Sequence, residues 1–132
     1  MRDLKDKMFV CSWSGGKDSC YALMKAKQMG FNPTVLLNVL NEQGEISRSH
    51  GIPKMVLEKQ AEMLGLPLYA VPASWETYET TFVENLQLLK QKYQLTHGVF
   101  GDIDLEAHRE WEEKVCERAG INPVLPLWKR RP

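Results

Sequence analysis

Seven residues near the N-terminus offer the clearest chemistry in this sequence, Trp13-Ser14-Gly15-Gly16-Lys17-Asp18-Ser19. An apolar run typical of a buried strand precedes them and a helical pattern follows, so the two glycines stand where a strand turns into a helix. The N–H groups of such a loop and the positive end of the helix dipole attract anions. Lys17 adds a full positive charge, and Ser14 and Ser19 add hydroxyl donors. The stretch therefore predicts a phosphate-binding loop.

The same stretch has a purely structural alternative, a turn followed by a capped helix N-terminus. Gly15 and Gly16 lack a Cβ, which lets a backbone approach a bound anion closely. Asp18 would either cap the helix or hold a metal ion that bridges phosphates. The order Lys-Asp-Ser after a strand favours phosphate binding, although the spacing matches neither the usual P-loop nor the Gly-x-Gly-x-x-Gly dinucleotide motif.

A second group of candidate residues begins with Gly101-Asp102-Ile103-Asp104, which follows another apolar run. The glycine would let the chain turn, and Asp102 or Asp104 could bind Mg²⁺; a turn and a helix cap are the alternative for the two aspartates. His108 and Arg109 fall in the first turns of the next predicted helix, from which they could reach back. The planar fork of Arg109 suits a phosphate group.

The elements that must position these residues alternate between strand and helix. Apolar runs and helical periodicity predict strands over 8–12, 34–40, 68–71, 97–100 and 123–127, and helices over 18–29, 53–64, 78–93 and 105–119. Such alternation predicts one α/β domain over residues 1–132, a doubly wound, mostly parallel five-stranded sheet with helices on both faces. With strand order 3-2-1-4-5, the loops after strands one and four face each other where the order reverses, which is where such sheets bind ligands.

Composition excludes some classes of function. Lys plus Arg and Asp plus Glu are balanced at 17 each, so no global field would collect nucleic acid. No apolar run approaches the roughly 20 residues that span a bilayer, and the charged N-terminus lacks a signal peptide, so we expect a cytoplasmic protein without membrane contact. Cys11, Cys20 and Cys116 form no Cys-x-x-Cys pair and are expected as buried apolar residues. Trp111 and Trp128 are likewise expected in the core.

Several motifs together resemble a known family. The run Ser14 to Ser19 resembles the PP-loop of the N-type ATP pyrophosphatases. The later motifs Gly101–Asp104, His108-Arg109-Glu110-Trp111 and Pro126-Leu127-Trp128 are similar to those of the diphthine–ammonia ligase family and its bacterial relatives. The resemblance runs from Met8 to Trp128. It implies an adenine nucleotide alpha hydrolase-like fold of the HUP, or Rossmann-like, type.

The resemblance also implies roles for individual residues. Lys17, Asp102 and Arg109 would act in catalysis, and Asp18 and Asp102 would hold Mg²⁺. The strand-end backbone around Val39 would read the adenine ring. The residues expected to bind ATP are Ser12, Ser14, Gly15, Gly16, Lys17, Asp18, Ser19, Val39 and Gly101. The long loop 41–51, with Arg48, Ser49 and His50, would either close over the nucleotide or be a solvated surface loop.

The reaction that the resemblance implies is attack of a carboxylate on the α-phosphate of ATP. Backbone N–H groups, Lys17 and Mg²⁺ would stabilise the departing pyrophosphate. Ammonia would then displace AMP from the acyl-adenylate and form an amide. The acceptor would be diphthine on elongation factor 2, or a small molecule in a bacterial relative.

Two other functions stay open at this point, a nucleotide-binding module without turnover and a tRNA-modifying PP-loop enzyme. The neutral charge and the lack of a cysteine pair disfavour the second. Relatives continue well beyond Pro126-Leu127-Trp128, so we expect the family's C-terminal part, with much of the acceptor site, to be absent from this sequence. An incomplete sheet edge would favour a homo-oligomer.

Overall fold

A computed structural model describes residues 7–48 and 50–129. Within them the chain forms a five-stranded sheet in the order β3-β2-β1-β4-β5, with every neighbouring pair of strands parallel. The strands are β1 Met8–Ser12, β2 Asn32–Leu40, β3 Leu68–Pro72, β4 Leu95–Val99 and β5 Asn122–Val124. The helices are α1 Lys17–Gln28, α2 Lys54–Leu64, α3 Tyr78–Tyr93 and α4 Glu106–Ala119. Fold class and strand order agree with the sequence prediction. None of the described helices is long and apolar enough to span a bilayer.

The central strand β1 supplies the core on both sides of the sheet. Phe9 and Cys11 point into one apolar cluster, with α1 and α2, whereas Val10 points into the other, with α3 and α4. All three side chains are buried. Alternate residues of a strand face opposite sides, so a strand covered by helices on both faces must be apolar throughout. This packing fixes where the strand ends, and so where the loop after it begins.

The predicted last strand is too long. Residues 122–124 form β5, and the chain then turns, because the N–H of Trp128 donates to the carbonyl of Leu125 across 3.1 Å. Prolines at positions 123 and 126 remove two donors that a longer ladder would need. Trp111 and Trp128 are only half-buried, and Trp111 packs against the edge of the core.

The buried face of α1 does not include Cys20. Cys20 is exposed and Met24 is 50% exposed, so the expectation that Cys20 is a buried apolar residue is wrong. The residues that face the sheet follow helical spacing and are mostly small: Ser19, Ala22, Leu23 and Ala26. Small side chains let α1 lie close to β1, and this brings its first turn against the strand ends. Cys11 and Cys116 are buried as expected.

Candidate functional site

A cavity of about 570 Å³ opens at the carboxyl ends of β1 and β4. This volume is within the range of small-molecule sites in proteins. Residues from both predicted motifs line the cavity, which confirms that the topology brings the two loops together. The lining residues are Ser12, Ser14, Asp18, Ser19, His50, Trp75, Tyr78, Phe100, Gly101, Asp102, His108, Trp111 and Glu112.

The loop between β1 and α1, residues 13–16, is shaped by its own hydroxyl groups. Ser14 Oγ donates to Ser19 Oγ across 3.1 Å, and Ser19 Oγ donates to the Gly16 carbonyl across 3.1 Å. The N–H of Gly16 donates to Ser14 Oγ. No side chain caps the first turn of α1, so Asp18 does not act as a helix cap. The free N–H groups of that turn leave the helix end able to bind an anion.

Gly15 holds this loop against α2. Its φ is +84°, and a Cβ there would come within 2.7 Å of Ile52 Cδ1 and 2.8 Å of Leu57 Cδ2. Gln60 of α2 donates through Nε2 to the Gly15 carbonyl across 3.2 Å, and its Oε1 accepts the indole N–H of Trp13 across 2.9 Å. Only glycine combines this backbone conformation with so little space. The loop is therefore held in place by α2 as well as by the strand that precedes it.

Gly101 brings the second motif against the first. A Cβ on Gly101 would lie 2.9 Å from the carbonyl carbon and oxygen of Asp18 and 3.0 Å from the Ser19 nitrogen. The end of β4 thus packs directly on the first turn of α1. Asp18, which is part of this contact, and Asp102, which follows Gly101, both line the cavity.

An acidic cluster lies at the α4 end of the cavity. His108 Nδ1 and Asp102 Oδ1 are 3.0 Å apart. Glu112, one helical turn further on, is only 6% exposed. Burial raises its pKa to about 10, and a hydrogen bond with Asp102 and the negative charges of Asp102 and Glu113 act in the same direction. Glu112 is therefore protonated at neutral pH, and its Oε1 has no hydrogen-bond partner among the described residues.

Aromatic side chains from α3, from α4 and from the loop after β3 form another part of the cavity wall. The rings of Trp75 and Tyr78 stack at 5.6 Å with an interplanar angle of 23°, and Trp111 lies 5.8 Å from Tyr78. The guanidinium of Arg48 sits 4.8 Å from the Trp75 ring centroid, and its Nε donates to the Ala73 carbonyl across 2.9 Å. Burial raises the pKa of Tyr78 above its ordinary value. This wall is apolar and flat, which suits a planar or cationic ligand.

Comparisons with known proteins identify the family of this chain. The diphthamide synthase N-terminal domain family matches residues 7–123. The chain belongs to this family. It is 27% identical to the diphthine–ammonia ligase of Mus musculus over 89% of this chain and 51% of that protein. The Homo sapiens diphthine–ammonia ligase is 26% identical over the same shares. The chain thus spans about half the length of the curated relatives it matches.

A solved structure shares the fold of this diphthamide synthase N-terminal domain. It is a predicted subunit of tRNA methyltransferase from Methanocaldococcus jannaschii, with a TM-score of 0.56 and 19% identity. The match covers 95% of this chain and 70% of that one. At this identity the likeness concerns the fold alone.

Some predicted site residues do not line the cavity of this family member. Arg109 Nε lies 3.7 Å from Glu106 and 3.6 Å from Glu113, and its guanidinium is 5.3 Å from the Trp128 ring. These contacts hold Arg109 along the outer side of α4. Lys17 is exposed on the first turn of α1 and is not among the residues that line the cavity. The other residues predicted for the nucleotide or the metal that lie outside the wall are Gly15, Gly16, Val39 and Asp104.

Val39 lies near the end of β2, beside the long loop, and is not among the residues that line the cavity. Val39 is 5% exposed, and its carbonyl accepts the N–H of Arg48 across 2.9 Å. His50 lines the cavity, whereas Ser49 lies outside the described residues.

Magnesium fits this site only together with phosphate. The described residues contain no group of three or more His, Cys, Asp or Glu side chains that could hold a metal ion. Mg²⁺ is commonly held by one or two carboxylates plus substrate phosphates and waters. Asp18 and Asp102 line one cavity on backbone segments in direct contact, so they match that donor set.

The sequence missed Trp75, Tyr78 and Glu112 as residues of the site. A signal for Glu112 was present, because Val115, Cys116 and Ala119 follow it at helical spacing and mark a buried face. An acidic side chain on such a face needs either a partner or a function. For Trp75 the signal was weaker: it is an aromatic residue shortly after the end of a strand, where ligand sites of such sheets lie.

Proposed function

We propose that this chain binds ATP with Mg²⁺ and transfers its adenylyl group to a carboxylate, releasing pyrophosphate, so that ammonia can form an amide. The observation that carries this proposal is the first turn of α1, which has no side-chain cap and borders the cavity beside Gly101 and Asp102. An open helix N-terminus next to two carboxylates suits a metal-bound polyphosphate. The relatives named diphthine–ammonia ligase support the amide-forming half of the proposal.

In this proposal each motif residue has a specific task. The N–H groups of Gly15 and of the uncapped first turn of α1 would hold the phosphates, and the hydroxyl groups of Ser14 and Ser19 keep the loop in shape. Lys17 would reach from the first turn of α1 towards the departing pyrophosphate. Mg²⁺, held by Asp18 and Asp102, would neutralise phosphate charge when bound.

The adenosine half of ATP would lie towards β2. There the backbone of Val39 would read the adenine ring, and Ser12 would contribute from the end of β1. Arg109 would act on the phosphates only after it leaves Glu106 and Glu113, since these carboxylates now hold its guanidinium outside the cavity. The salt bridges are exposed and weak, so such a rearrangement costs little.

The acceptor, localisation and assembly are further parts of the proposal. The acceptor would be a carboxylate, either on diphthine of elongation factor 2 or on a small molecule. We place the protein in the cytoplasm, with no membrane or general nucleic-acid partner, and the exposed edge strand β3 would support a homo-oligomer. Residues 1–132 would form the ATP-binding PP-loop domain, and the family's C-terminal part would complete the acceptor site.

A nucleotide-binding module without turnover is the second candidate. The position of Arg109 outside the cavity favours it, because a catalytic cation would then be missing from the described wall. A tRNA-modifying enzyme gains no such support, since Cys11 and Cys116 are buried and the exposed Cys20 belongs to no Cys-x-x-Cys pair.

Calorimetric titration with ATP and Mg²⁺, followed by analysis of the nucleotide for AMP, tests the proposal. We expect binding in the micromolar range, and formation of AMP and pyrophosphate when the acceptor is supplied. Lys17→Ala should weaken ATP binding at least tenfold, whereas Lys27→Ala, at the far end of the same helix, should leave it unchanged. Binding without AMP would favour the second candidate, and unchanged affinity in Lys17→Ala would contradict both.

A further inference from the structure

Phosphate binding at this cavity calls for positive charge, and the cavity wall offers little of it. The carboxyl groups of Asp18, Asp102 and Glu112 line the cavity, whereas none of the described lining residues is a lysine or an arginine. The basic side chains on the described wall are those of His50 and His108. His108 is engaged, since its Nδ1 lies 3.0 Å from Asp102 Oδ1. His50 is therefore the basic group of this wall that remains available to a ligand.

His50 has no partner in the part of the chain that the structure describes. Its side chain is exposed and makes no hydrogen bond, ion pair or ring contact with a described residue. Its ring lies beside the N-terminal end of α1, with Nε2 3.7 Å and Cδ2 3.8 Å from the point that a Cβ on Gly16 would occupy. Gly16 immediately precedes the uncapped first turn of α1. The free imidazole is thus next to the N–H groups that would hold the phosphates.

Neighbouring residues of the long loop set His50 in this position. Ser47 is buried, its N–H donates to the carbonyl of Ile52 across 2.7 Å, and its Oγ accepts the N–H of Ile52 across 2.9 Å. Ile52 in turn packs at Gly15, where its Cδ1 lies 2.7 Å from the position of a Cβ. Because Ile52 is anchored on the loop after β1, His50 is placed beside Gly16 before any ligand arrives, which lowers the entropic cost of a contact.

The space between His50 and the helix end is open because residue 16 is a glycine. Its backbone is extended, with φ −93° and ψ 178°, a conformation that any residue can adopt. A Cβ would meet Ser14 Oγ at 3.6 Å and His50 Nε2 at 3.7 Å, which are ordinary van der Waals distances. Unlike Gly15, Gly16 is therefore not required by the fold of the free chain. The missing side chain leaves a gap beside the imidazole into which a phosphate oxygen fits.

We infer that His50 is a phosphate-binding residue of this cavity, whose imidazole donates a hydrogen bond to the phosphate group lying over Gly16. The inference rests on the proposed function, which places a nucleotide's phosphate chain at this end of α1. An imidazole offers an N–H donor, and a positive charge when protonated, so it complements an oxygen that backbone N–H groups also hold. His50 then supplies a cation that Arg109, held by Glu106 and Glu113, does not bring to the wall.

Inorganic pyrophosphate with Mg²⁺ and adenosine are the two probes, because they separate the phosphate part of a nucleotide from the rest. Calorimetry should show that His50→Ala binds pyrophosphate and ATP about tenfold more weakly than the unmodified chain, as expected for the loss of a hydrogen bond to a charged group. Adenosine should bind equally to both. Gln43→Ala, an exposed residue of the same loop, is the matched control and should change neither affinity. An equal loss for adenosine, or pyrophosphate affinity as high in His50→Ala as in the control, would overturn the inference.

A second variant tests whether the contact lies at Gly16. Gly16→Ala adds a methyl group in the gap beside the ring without a clash, so the chain should fold and bind pyrophosphate several-fold more weakly. Either substitution separates the phosphate from the imidazole, so the two losses should not add when Gly16→Ala and His50→Ala are combined. Additive losses would show that the two residues act independently and would contradict the inference.

Analysis of the ATP titration for AMP keeps this inference distinct from the proposed function. If ATP and pyrophosphate bind equally well with and without His50, the inference alone fails. If pyrophosphate binding depends on His50 but no AMP forms, adenylyl transfer fails and the phosphate contact stands. If neither ATP nor pyrophosphate binds to the unmodified chain, both fail.

Discussion

Gln60 and Gly15 are joined by a hydrogen bond, 3.2 Å long, from the side-chain amide of Gln60 on α2 to the carbonyl of Gly15 in the loop between β1 and α1. The same side chain accepts the indole N–H of Trp13 across 2.9 Å. One residue of a helix thus fixes both the start and the bend of the loop. The loop keeps its shape before any ligand arrives, which lowers the entropic cost of binding.

Removing this link should loosen the loop. Gln60→Leu deletes both hydrogen bonds and keeps the helix, so we expect about 1–2 kcal/mol of lost stability and a three- to tenfold weaker affinity for ATP. Chemical denaturation and calorimetry measure the two effects. Lys59→Ala, the exposed neighbour, is the control, and an equal loss in both variants would argue against the link.

A methyl group at Gly101 should separate the two halves of the cavity. Gly101→Ala places a Cβ 2.9 Å from the backbone of Asp18, where no flexible side chain can give way. We expect at least tenfold weaker ATP binding and a lower melting temperature. Gly65→Ala serves as the control: it introduces backbone strain at a φ of +70° with open space around it, so it should lower stability and leave ATP affinity intact.

The buried carboxyl of Glu112 should make stability depend on pH. Burial raises its pKa to about 10 from an ordinary value of 4.5. Between these values the unfolded chain releases a proton that the folded chain retains, so this group makes the folded state less stable as pH rises. Glu112→Gln removes the dependence. The free energy of unfolding of the variant should therefore exceed that of the unmodified chain by on the order of 1 kcal/mol or more at pH 8. The difference should be much smaller at pH 5. Urea unfolding at pH 5 and pH 8 measures the difference. An increase in stability that is the same at both pH values would contradict the raised pKa of Glu112.

Thiol labelling should distinguish the three cysteines. Cys20 is exposed, whereas Cys11 and Cys116 are buried. Burial raises the pKa of both buried thiols, that of Cys116 to about 12, so neither forms the reactive thiolate. A disulfide reagent should therefore modify one thiol in the folded chain and three in denaturant. Cys20→Ser should abolish the reaction of the folded chain, and a remaining fast thiol would show that a buried cysteine is accessible.

Sequence patterns predicted the fold because they report the forces that build it. The apolar runs at residues 8–12 and 34–40 are buried on two faces, and helical stripes separate them, so alternation alone gives a parallel sheet. The helix boundaries shifted by a residue or so. The loop between β1 and α1 was predictable because Gly15 and Gly16 stand between a strand and a helix, a context that local sequence contains.

The rest of the site depends on contacts that local sequence does not contain. Arg109 was expected in the crevice, but its neighbours Glu106 and Glu113 lie at helical spacing and hold it outside. The aromatic wall needs α3 and α4 to meet, and Trp75 reaches it from the loop after β3. Cys20 was wrongly predicted to be buried, because the buried face of α1 consists largely of Ser19 and alanines, which give little apolar signal in the sequence.

The central position of β1 has a consequence for the order of folding. β1 pairs with β2 through residues 8 and 32, and with β4 through residues 8 and 95. Closing the second, much longer loop costs more chain entropy, so the β1–β4 pairing should form late. Because the cavity opens at the carboxyl ends of those two strands, a nucleotide held there would bind only to chains that have completed the sheet. By mass action the nucleotide would then shift the folding equilibrium of newly made chains towards the native state, so that the ligand promotes the folding of the protein that binds it.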